Sequence, residues 1–340
     1  MANSTNPIEL VEDDVRRCLA FHVTSGQTLR VALSGGLDSV VLLDVLQRLG
    51  PERGIFLAAL HVNHRLQAEA DAWVAFCEGL CRDRGIPLSV AQVTVERLPG
   101  QSLEAEARRA RYAVYESQTD DWLALAHQRD DQSETLLLQL LRGAGVRGLQ
   151  AMPVVRALPT LGAPRLLRPL LTLDRALLAR YAVARGLAWI EDPSNQDTRL
   201  ARNFLRRRVA PLLDEGFPSW RSTLSRSAGH LASAQRLLDE MALQDFAFCR
   251  QDEGLEGRKL MTLPSDRGVN LLRWWVRRAG APACSSARWE DWWGQCAARI
   301  DRHPRLHWQG WTVVRRRGVW QVFRDDDAAA ESSAKPLRSC

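Results

Sequence analysis

Apolar and polar positions alternate between two periods along the first half of the chain. Ile8, Val11, Val15, Cys18 and Leu19 fall three and four residues apart, the spacing of a short leading helix over residues 8–23. From Leu29 the text changes to short apolar runs separated by amphipathic stretches. Strands are expected at Leu29–Leu33, Gly54–Val62, Leu88–Val95 and Asp121–Ala126, and helices at Val40–Leu49, Ala68–Arg84, Leu103–Ser117 and Asp130–Leu141. Runs that are apolar throughout, each followed by a helix, predict an α/β unit whose parallel sheet is covered on both faces.

Gly and Pro crowd the stretch between Gly143 and Pro169, which reads as a connector. A helix at Asp174–Arg185, a strand at Leu187–Ile190, a polar segment at Glu191–Arg199 and an arginine-rich helix at Leu200–Leu213 are expected to follow. Gly216, Pro218 and Ser219 mark a boundary, and Leu224, Ala228, Leu231, Leu238 and Met241 then trace a long amphipathic helix. Nine of the twelve tryptophans lie at or after Trp220, so the second part has a core of different composition. Alternation of Trp311 and Val313 with Trp320 and Val322 around Arg316–Gly318 predicts a hairpin over residues 306–323. The expected organisation is a domain over 1–215, a smaller, mostly helical, Trp-rich domain over 216–324, and a polar, disordered tail over 325–340.

Composition removes several classes. The 340 residues are 46% hydrophobic and 25% charged, enough to bury a core. No apolar run approaches the roughly 20 residues that span a bilayer. The first residues carry Glu9, Glu12, Asp13 and Asp14 and no apolar signal core, so a cytoplasmic location is expected, with no membrane partner. Seven scattered cysteines without a C-x-x-C pair speak against disulfide-linked partners and thiolate zinc sites. The formal net charge is +6, and 44 of the 46 basic residues are arginine. Arginine suits phosphate recognition. Coding bias explains most of the Arg/Lys ratio, so the charge permits a polyanionic partner without demanding one.

Candidate chemistry concentrates at the ends of the expected strands. Ser34, Gly35, Gly36, Leu37, Asp38 and Ser39 lie between a strand and a helix. Two glycines allow a tight turn whose N–H groups meet an anion at a helix start, and Ser34 and Ser39 can donate to phosphate oxygens. Asp38 would repel a bare phosphate, which implies a bridging Mg²⁺. The G-x-x-x-x-G-K-[ST] spacing is missing, so this is no Walker A loop.

This loop resembles that of the pyrophosphate-loop ATPases, which adenylate a carbonyl oxygen and release pyrophosphate. Further segments narrow the likeness: His61 to Leu66, Leu103 to Arg108 with Arg111 and Tyr112, His127 to Thr135, Asp192 to Asn195 with Asp197, and Arg202 to Arg206. In this order they resemble the bacterial tRNA(Ile)-lysidine synthases over residues 29–324. The resemblance implies an adenine-nucleotide alpha-hydrolase-like (Rossmann-like) fold, ATP and Mg²⁺, and L-lysine as second substrate. It implies as partner the isoleucine tRNA with a CAU anticodon, whose first anticodon cytidine becomes lysidine through an adenylated intermediate. It places Ser34–Ser39, His61, Asn63 and His127 at the nucleotide, and Asp38 and Asp131 at the metal. Asp38, Asp131, Glu134 and Arg206 are its catalytic candidates, and Arg111, Arg202, Arg206 and Arg207 its RNA contacts.

Plainer accounts stand beside these. Asp130 can cap the helix that follows it, and Asp131 and Glu134 favour its positive end; three acids exceed what capping needs, and whether they hold metal or lysine is open. One of His61 and His64 is expected to be a packing residue. Glu104 and Glu106 account for part of the Arg108, Arg109 and Arg111 cluster through intrahelical pairs. Trp274, Trp275, Trp292 and Trp293 can stack on bases, although paired tryptophans in a helical domain are more often core. Cys77 and Cys81 read as buried thiols. Two rival functions compete: a tRNA thiolation enzyme on the same fold, disfavoured by the missing Cys pair, and a silent RNA-binding protein, disfavoured by the intact loop.

Overall fold

Parallel strands buried on both faces need near-continuous apolar sequence, and Leu29, Val31, Ala59 and Leu60, Trp122, Leu123 and Ala124 supply it, all nearly or fully buried. The computed structural model describes residues 6–65, 69–95, 103–297 and 305–325. It divides into two units, Met1–Ala232 and Ser233–Cys340.

In the first unit β1 (Thr28–Ala32), β2 (Phe56–Asn63), β3 (Leu88–Gln92), β4 (Trp122–Ala124), β5 (Val155–Arg156) and β6 (Arg165–Leu167) form one sheet in the order β3-β2-β1-β4-β6-β5. All neighbours pair parallel except β5, which closes the edge antiparallel to β6. The helices are α1 (Pro7–His22), α2 (Leu37–Leu49), α3 (Ala70–Asp83), α4 (Leu103–Glu116), α5 (Arg129–Leu141), α6 (Val146–Leu149), α7 (Arg175–Ala184), α8 (Ala201–Phe204) and α9 (Ala210–Gly216). The expected α/β architecture is therefore present. From β1 the chain builds outward through β2 and β3, then returns to place β4 on the other side of β1. That reversal opens a crevice at the carboxyl ends of β1 and β4, the position where open α/β sheets bind ligands.

Two expectations change. The Gly/Pro-rich connector contains β5 and β6, whose two and three residues are too short to show a period. Conversely, Leu187–Ile190 does not form a strand. After Gly186, at φ +61°, the segment finds no sheet edge, and Ile190 N–H donates instead to Gly35 C=O at 2.9 Å.

Helix α2 is buried almost all round. Even its Asp44 is 2% exposed, and it accepts from Arg84 Nη1 (2.7 Å), Tyr181 OH (2.7 Å) and Arg185 Nε (3.1 Å). This carboxylate ties α2, the end of α3 and α7 into one block, and so anchors the loop that precedes α2.

Helix α10 (Trp220–Cys249) starts in the first unit and continues into the second. The second unit adds β7 (Arg250–Gln251), β8 (Gly254–Glu256), α11 (Gly257–Leu260), α12 (Ser265–Arg278), α13 (Ser286–Ala297), β9 (Arg305–Trp308), β10 (Trp311–Arg316) and β11 (Val319–Arg324). The expected hairpin is the centre of an antiparallel sheet ordered β7-β8-β11-β10-β9. Its turn residues Arg317 and Gly318 both take left-handed φ, +49° and +86°, as a type I′ turn requires. Trp275, Trp289, Trp292, Trp308 and Trp320 are buried, and the Trp292–Trp320 rings meet edge-on at 4.7 Å. Half-buried Trp274 and Trp293 pack against the same cluster, so these aromatics form a core and not a stacking platform. Apart from Asp325, the tail over 325–340 lies outside the described residues, as do Leu66 and the side chains of Ser194 and Asn195. Among the described residues no helix is long and apolar enough to cross a membrane.

Candidate active site

The loop after β1 is built by two glycines with different duties. Gly35 sits at φ +86°, and a Cβ there would lie 3.0 Å from Ile190 Cδ1. The positive φ demands glycine, and the close Ile190 side chain would have to give way to any Cβ. Gly36 has an ordinary φ of −74°, and the nearest atom to a Cβ there would be Ser34 Oγ at 3.5 Å. The fold does not need glycine at 36; a side chain would instead fill the space above the loop that an approaching anion requires.

Helix α2 begins at Leu37, three residues earlier than its apolar pattern predicts, with Gly36 as N-cap and no side-chain cap. Leu37, Asp38 and Ser39 thus form its first turn, where uncapped amides and the positive dipole end favour an anion. Buried Ser39 clips the loop: its Oγ donates to Gly36 C=O (2.9 Å) and accepts from Ser34 N–H (3.2 Å). Ser34 Oγ accepts from Gly36 N–H at 3.3 Å and remains at the exposed rim.

From β2, His61 is 4% exposed and its Nδ1 lies 2.9 Å from Leu33 C=O. It props the end of β1 from beneath, the packing role expected of one of the two histidines. Asn63 ends β2 at 2% exposure; its Oδ1 accepts from Arg65 N–H (2.9 Å), and its buried Nδ2 has no partner among the described residues. Burial, with Arg111 nearby, pushes His64 down to about 4. On α3, burial raises the Cys77 and Cys81 thiols to about 12 and 11.

Across the crevice, β4 leads to His127 and α5. Gln128, and not Asp130, caps α5: its side chain accepts from Asp130 N–H (2.6 Å), while Asp131 Oδ2 accepts from Gln128 N–H (3.1 Å). A Gln with an acid three residues on forms this reciprocal box and releases Asp130, which pairs with Arg221 Nε at 3.0 Å. Asp131 Oδ1 accepts from Arg206 Nη2 (2.8 Å), and Glu134 Oε1 from Arg206 Nε (2.5 Å). Arg202 Nε lies 3.3 Å from Glu134 Oε2, and its Nη2 donates to Thr135 Oγ1 at 2.8 Å. Burial raises Glu134 above the usual carboxylate range despite Arg206. Burial, then the Asp131 charge, raises Asp38 to about 6 against Arg175 and Arg206.

The structure thus brings Asp38, Asp131, Glu134 and Arg206 to one side of the crevice and the Ser34–Ser39 loop to its floor. Arg202 and Arg206 are turned onto carboxylates, Arg207 is exposed, and Arg111 stands half-buried on α4 beside His64. Asp197 is engaged locally by Arg199 (Oδ2–Nη2 2.8 Å), the helix-entry turn its composition suggests. Among the described residues no three His, Cys, Asp or Glu side chains converge on a metal site. The pair Asp38 and Asp131 nevertheless fits Mg²⁺, which takes one or two carboxylates plus phosphate and water oxygens. Asp38 Oδ1 is buried with no hydrogen-bond partner among the described residues, an open acceptor for such an ion. Sequence reasoning overlooked Arg168, Arg175 and Arg221, each of which acts on the crevice acids or on His127. Only Arg175 carries a signal, its place in the first turn after the Asp174 cap.

Known proteins resemble this chain along most of its length. A family described as PP-loop domain matches residues 10–213, and one described as TilS substrate binding domain matches 255–319. A tRNA(Ile)-lysidine synthase of Burkholderia pseudomallei is 46% identical over 314 residues, 90% of this chain and 63% of that protein. One from Nitrosomonas europaea is 45% identical over 77% of this chain and 58% of its own length, so the chain spans about three fifths of these first relatives. One from Pseudomonas aeruginosa is 44% identical over 90% of this chain and 73% of its own length. Among solved structures, the U34-tRNA thiolase NcsA of Methanococcus maripaludis, with its [4Fe-4S] cluster, aligns at TM-score 0.58 and 16% identity. That alignment covers 66% of this chain and 78% of the thiolase, a likeness of fold alone. Matched along the nucleotide fold and again over the tryptophan-rich unit, the chain belongs to the tRNA(Ile)-lysidine synthase family.

Proposed function

We propose that this chain joins L-lysine to C2 of the first anticodon cytidine of a tRNA(Ile) bearing CAU, at the expense of ATP, in the cytoplasm. The observation that carries the reading is the juxtaposition of an anion loop, open at Gly36, with the carboxylates Asp38, Asp131 and Glu134 at one sheet edge. The cytidine O2 is a poor leaving group, so it is first made a better one. O2 attacks the α-phosphorus of ATP, the bond to the β-phosphate oxygen breaks, and pyrophosphate departs. The Leu37 and Asp38 amides at the start of α2 hold the departing phosphates, and Arg206 opposes their charge.

Asp38 and Asp131 would hold Mg²⁺, which when bound neutralises phosphate charge. The lysine ε-ammonium has a pKa near 10.4 and must lose a proton before attack. Glu134, raised by burial, orients the ammonium and accepts that proton. The amine then attacks C2, the C2–O2 bond breaks, and AMP leaves carrying O2. An anticodon loop offers its base without melting a duplex, and Arg111 and Arg207 are placed to meet its backbone. Thiolation draws little support from the cysteines, since burial raises Cys18, Cys77, Cys81 and Cys249 far above the thiolate range.

The test is incubation with labelled lysine, ATP and transcript tRNA. Label entering the RNA together with pyrophosphate and AMP supports the reading, and Asp38→Ala abolishes pyrophosphate release while far-UV circular dichroism is unchanged. ADP as product, or no use of nucleotide, overturns it.

A further inference from the structure

Arg168 follows β6 and is 2% exposed, an unusual place for a guanidinium. Its Nη1 donates to Pro153 C=O at 2.7 Å and its Nε to His127 Nδ1 at 3.3 Å. Its backbone N–H donates to Val154 C=O at 2.9 Å, which fixes the stem of the side chain. Arginine carries donors and no acceptor. The atom facing Arg168 Nε must therefore be a bare ring nitrogen. A proton on Nδ1, in either the other tautomer or the imidazolium, would set N–H against N–H. His127 stands at the carboxyl end of β4, on the crevice wall. Its Nε2 has no partner among the described residues and is not sealed from solvent.

We infer that Arg168 is a positioning residue: it holds His127 as the neutral Nε2–H tautomer, so that the ring offers a fixed hydrogen-bond donor to a phosphate oxygen of the bound nucleotide and does not serve as the proton acceptor of the reaction. The last part rests on the nucleotide reading of the crevice; the tautomer does not. The charges that act on the ring are those of Asp131 from α5, Arg168, Arg202 from α8 and Arg108 from α4. Burial first, then the three guanidinium charges, lowers the imidazole to about 3 against the opposing Asp131, which agrees with a ring that stays neutral. The same logic separates the two wall residues. Glu134, raised by burial, can accept a proton, and His127, with its one free nitrogen already protonated, can only donate.

The experiment uses the full chain labelled with ¹⁵N-histidine, with the His127 ring signals assigned by their loss in His127→Asn. The expected result is one protonated nitrogen, Nε2, and one bare nitrogen, Nδ1, unchanged from pH 5.5 to 9. Arg168→Met keeps the volume and removes the donors, so His127 should show mixed tautomers and its pKa should rise, with burial still holding it below the ordinary imidazole value. In the ATP/pyrophosphate exchange reaction the same variant should raise KM for ATP about tenfold at neutral pH and move the acid limb of the pH profile upward. Arg168→Lys restores a donor and should return a single tautomer and most of the ATP affinity. A purely structural role for Arg168 would move stability without moving the tautomer or the pH profile. A wild-type proton on Nδ1, or an Arg168→Met ring identical to wild type, overturns the inference even if either variant folds poorly. If the wild type binds no ATP but shows the Nε2–H ring, the nucleotide reading fails and the Arg168 assignment stands.

Discussion

Replacing Asp38 by Asn should make the ligand-free protein more stable and inactive at once. Burial and Asp131 raise the Asp38 carboxyl from 3.8 to about 6, so the folded state holds its proton more tightly than the unfolded chain does. The sign follows from that direction: this group costs the fold nothing below about pH 4, and a penalty grows from there and is complete above about pH 6. The gap between 3.8 and about 6 corresponds to about 3 kcal/mol at full effect. Because Asp38 is only partly buried, solvent screening leaves about 1–2 kcal/mol. For a unit of this size that is a rise in Tm of about 3–6 °C at pH 7.5. Differential scanning fluorimetry of wild type and Asp38→Asn at pH 7.5 and pH 4.5 reads it directly. The difference should be full at the higher pH and fall to about a third of that at the lower one. Pyrophosphate release should be lost in the variant, and Mg²⁺ with ATP should stabilise the wild type alone. An Asp38→Asn protein no more stable than wild type at pH 7.5, or equally stabilised at both pH values, would refute the reasoning that this carboxylate is held in an electrostatically unfavourable place for use.

Two further outcomes follow from geometry already described. Gly36→Ala should fold with Tm within a few degrees of wild type, because its φ of −74° suits alanine, yet lose one or two charge-assisted hydrogen bonds to phosphate at about 1.5–3 kcal/mol each. KM for ATP should then rise at least tenfold, whereas Gly35→Ala, at φ +86° against Ile190, should destabilise the fold itself; equal melting losses in both variants would contradict this division of duties. Asp44→Ala removes the acceptor of Arg84, Tyr181 and Arg185 and should cost about 3–5 kcal/mol by urea denaturation. Asp44 titrates below its usual range in the fold, so its contribution is present above about pH 4 and lost as pH falls further; a variant as acid-sensitive as wild type would count against it.

Residues whose partners are near in sequence were legible, and those whose partners are distant were not. Alternating apolar runs gave every long strand and helix of the first unit, since period and burial are local consequences of a covered sheet. The six-residue loop announced an anion site, but not that Gly35 answers to Ile190, 155 residues on, while Gly36 answers to nothing in the protein. Strands β5 and β6 escaped because two and three residues carry no period, and Leu187–Ile190 misled because apolar composition does not supply a sheet edge. Arg168 was hidden in that same Pro-rich connector, where its burial depends wholly on tertiary structure.

Arg206 shows how a local irregularity can aim a distant side chain. The arginine-rich helix expected over 200–213 is interrupted by a π-helical turn at Leu205–Val209, where Ala210 N–H reaches back five residues to Leu205 C=O. Proline at 211 supplies the cause: it has no N–H to give and its ring would strike the carbonyl of Arg207, four residues earlier. Widening the preceding turn by one residue relieves that clash and rotates the residues before it relative to a regular helix. The turn so widened contains Arg206, and its guanidinium meets Asp131 and Glu134 at 2.8 and 2.5 Å, more than seventy residues away in sequence. Pro211, inside the stretch expected as one basic helix, thus helps to direct that helix's arginine at the carboxylates of the crevice.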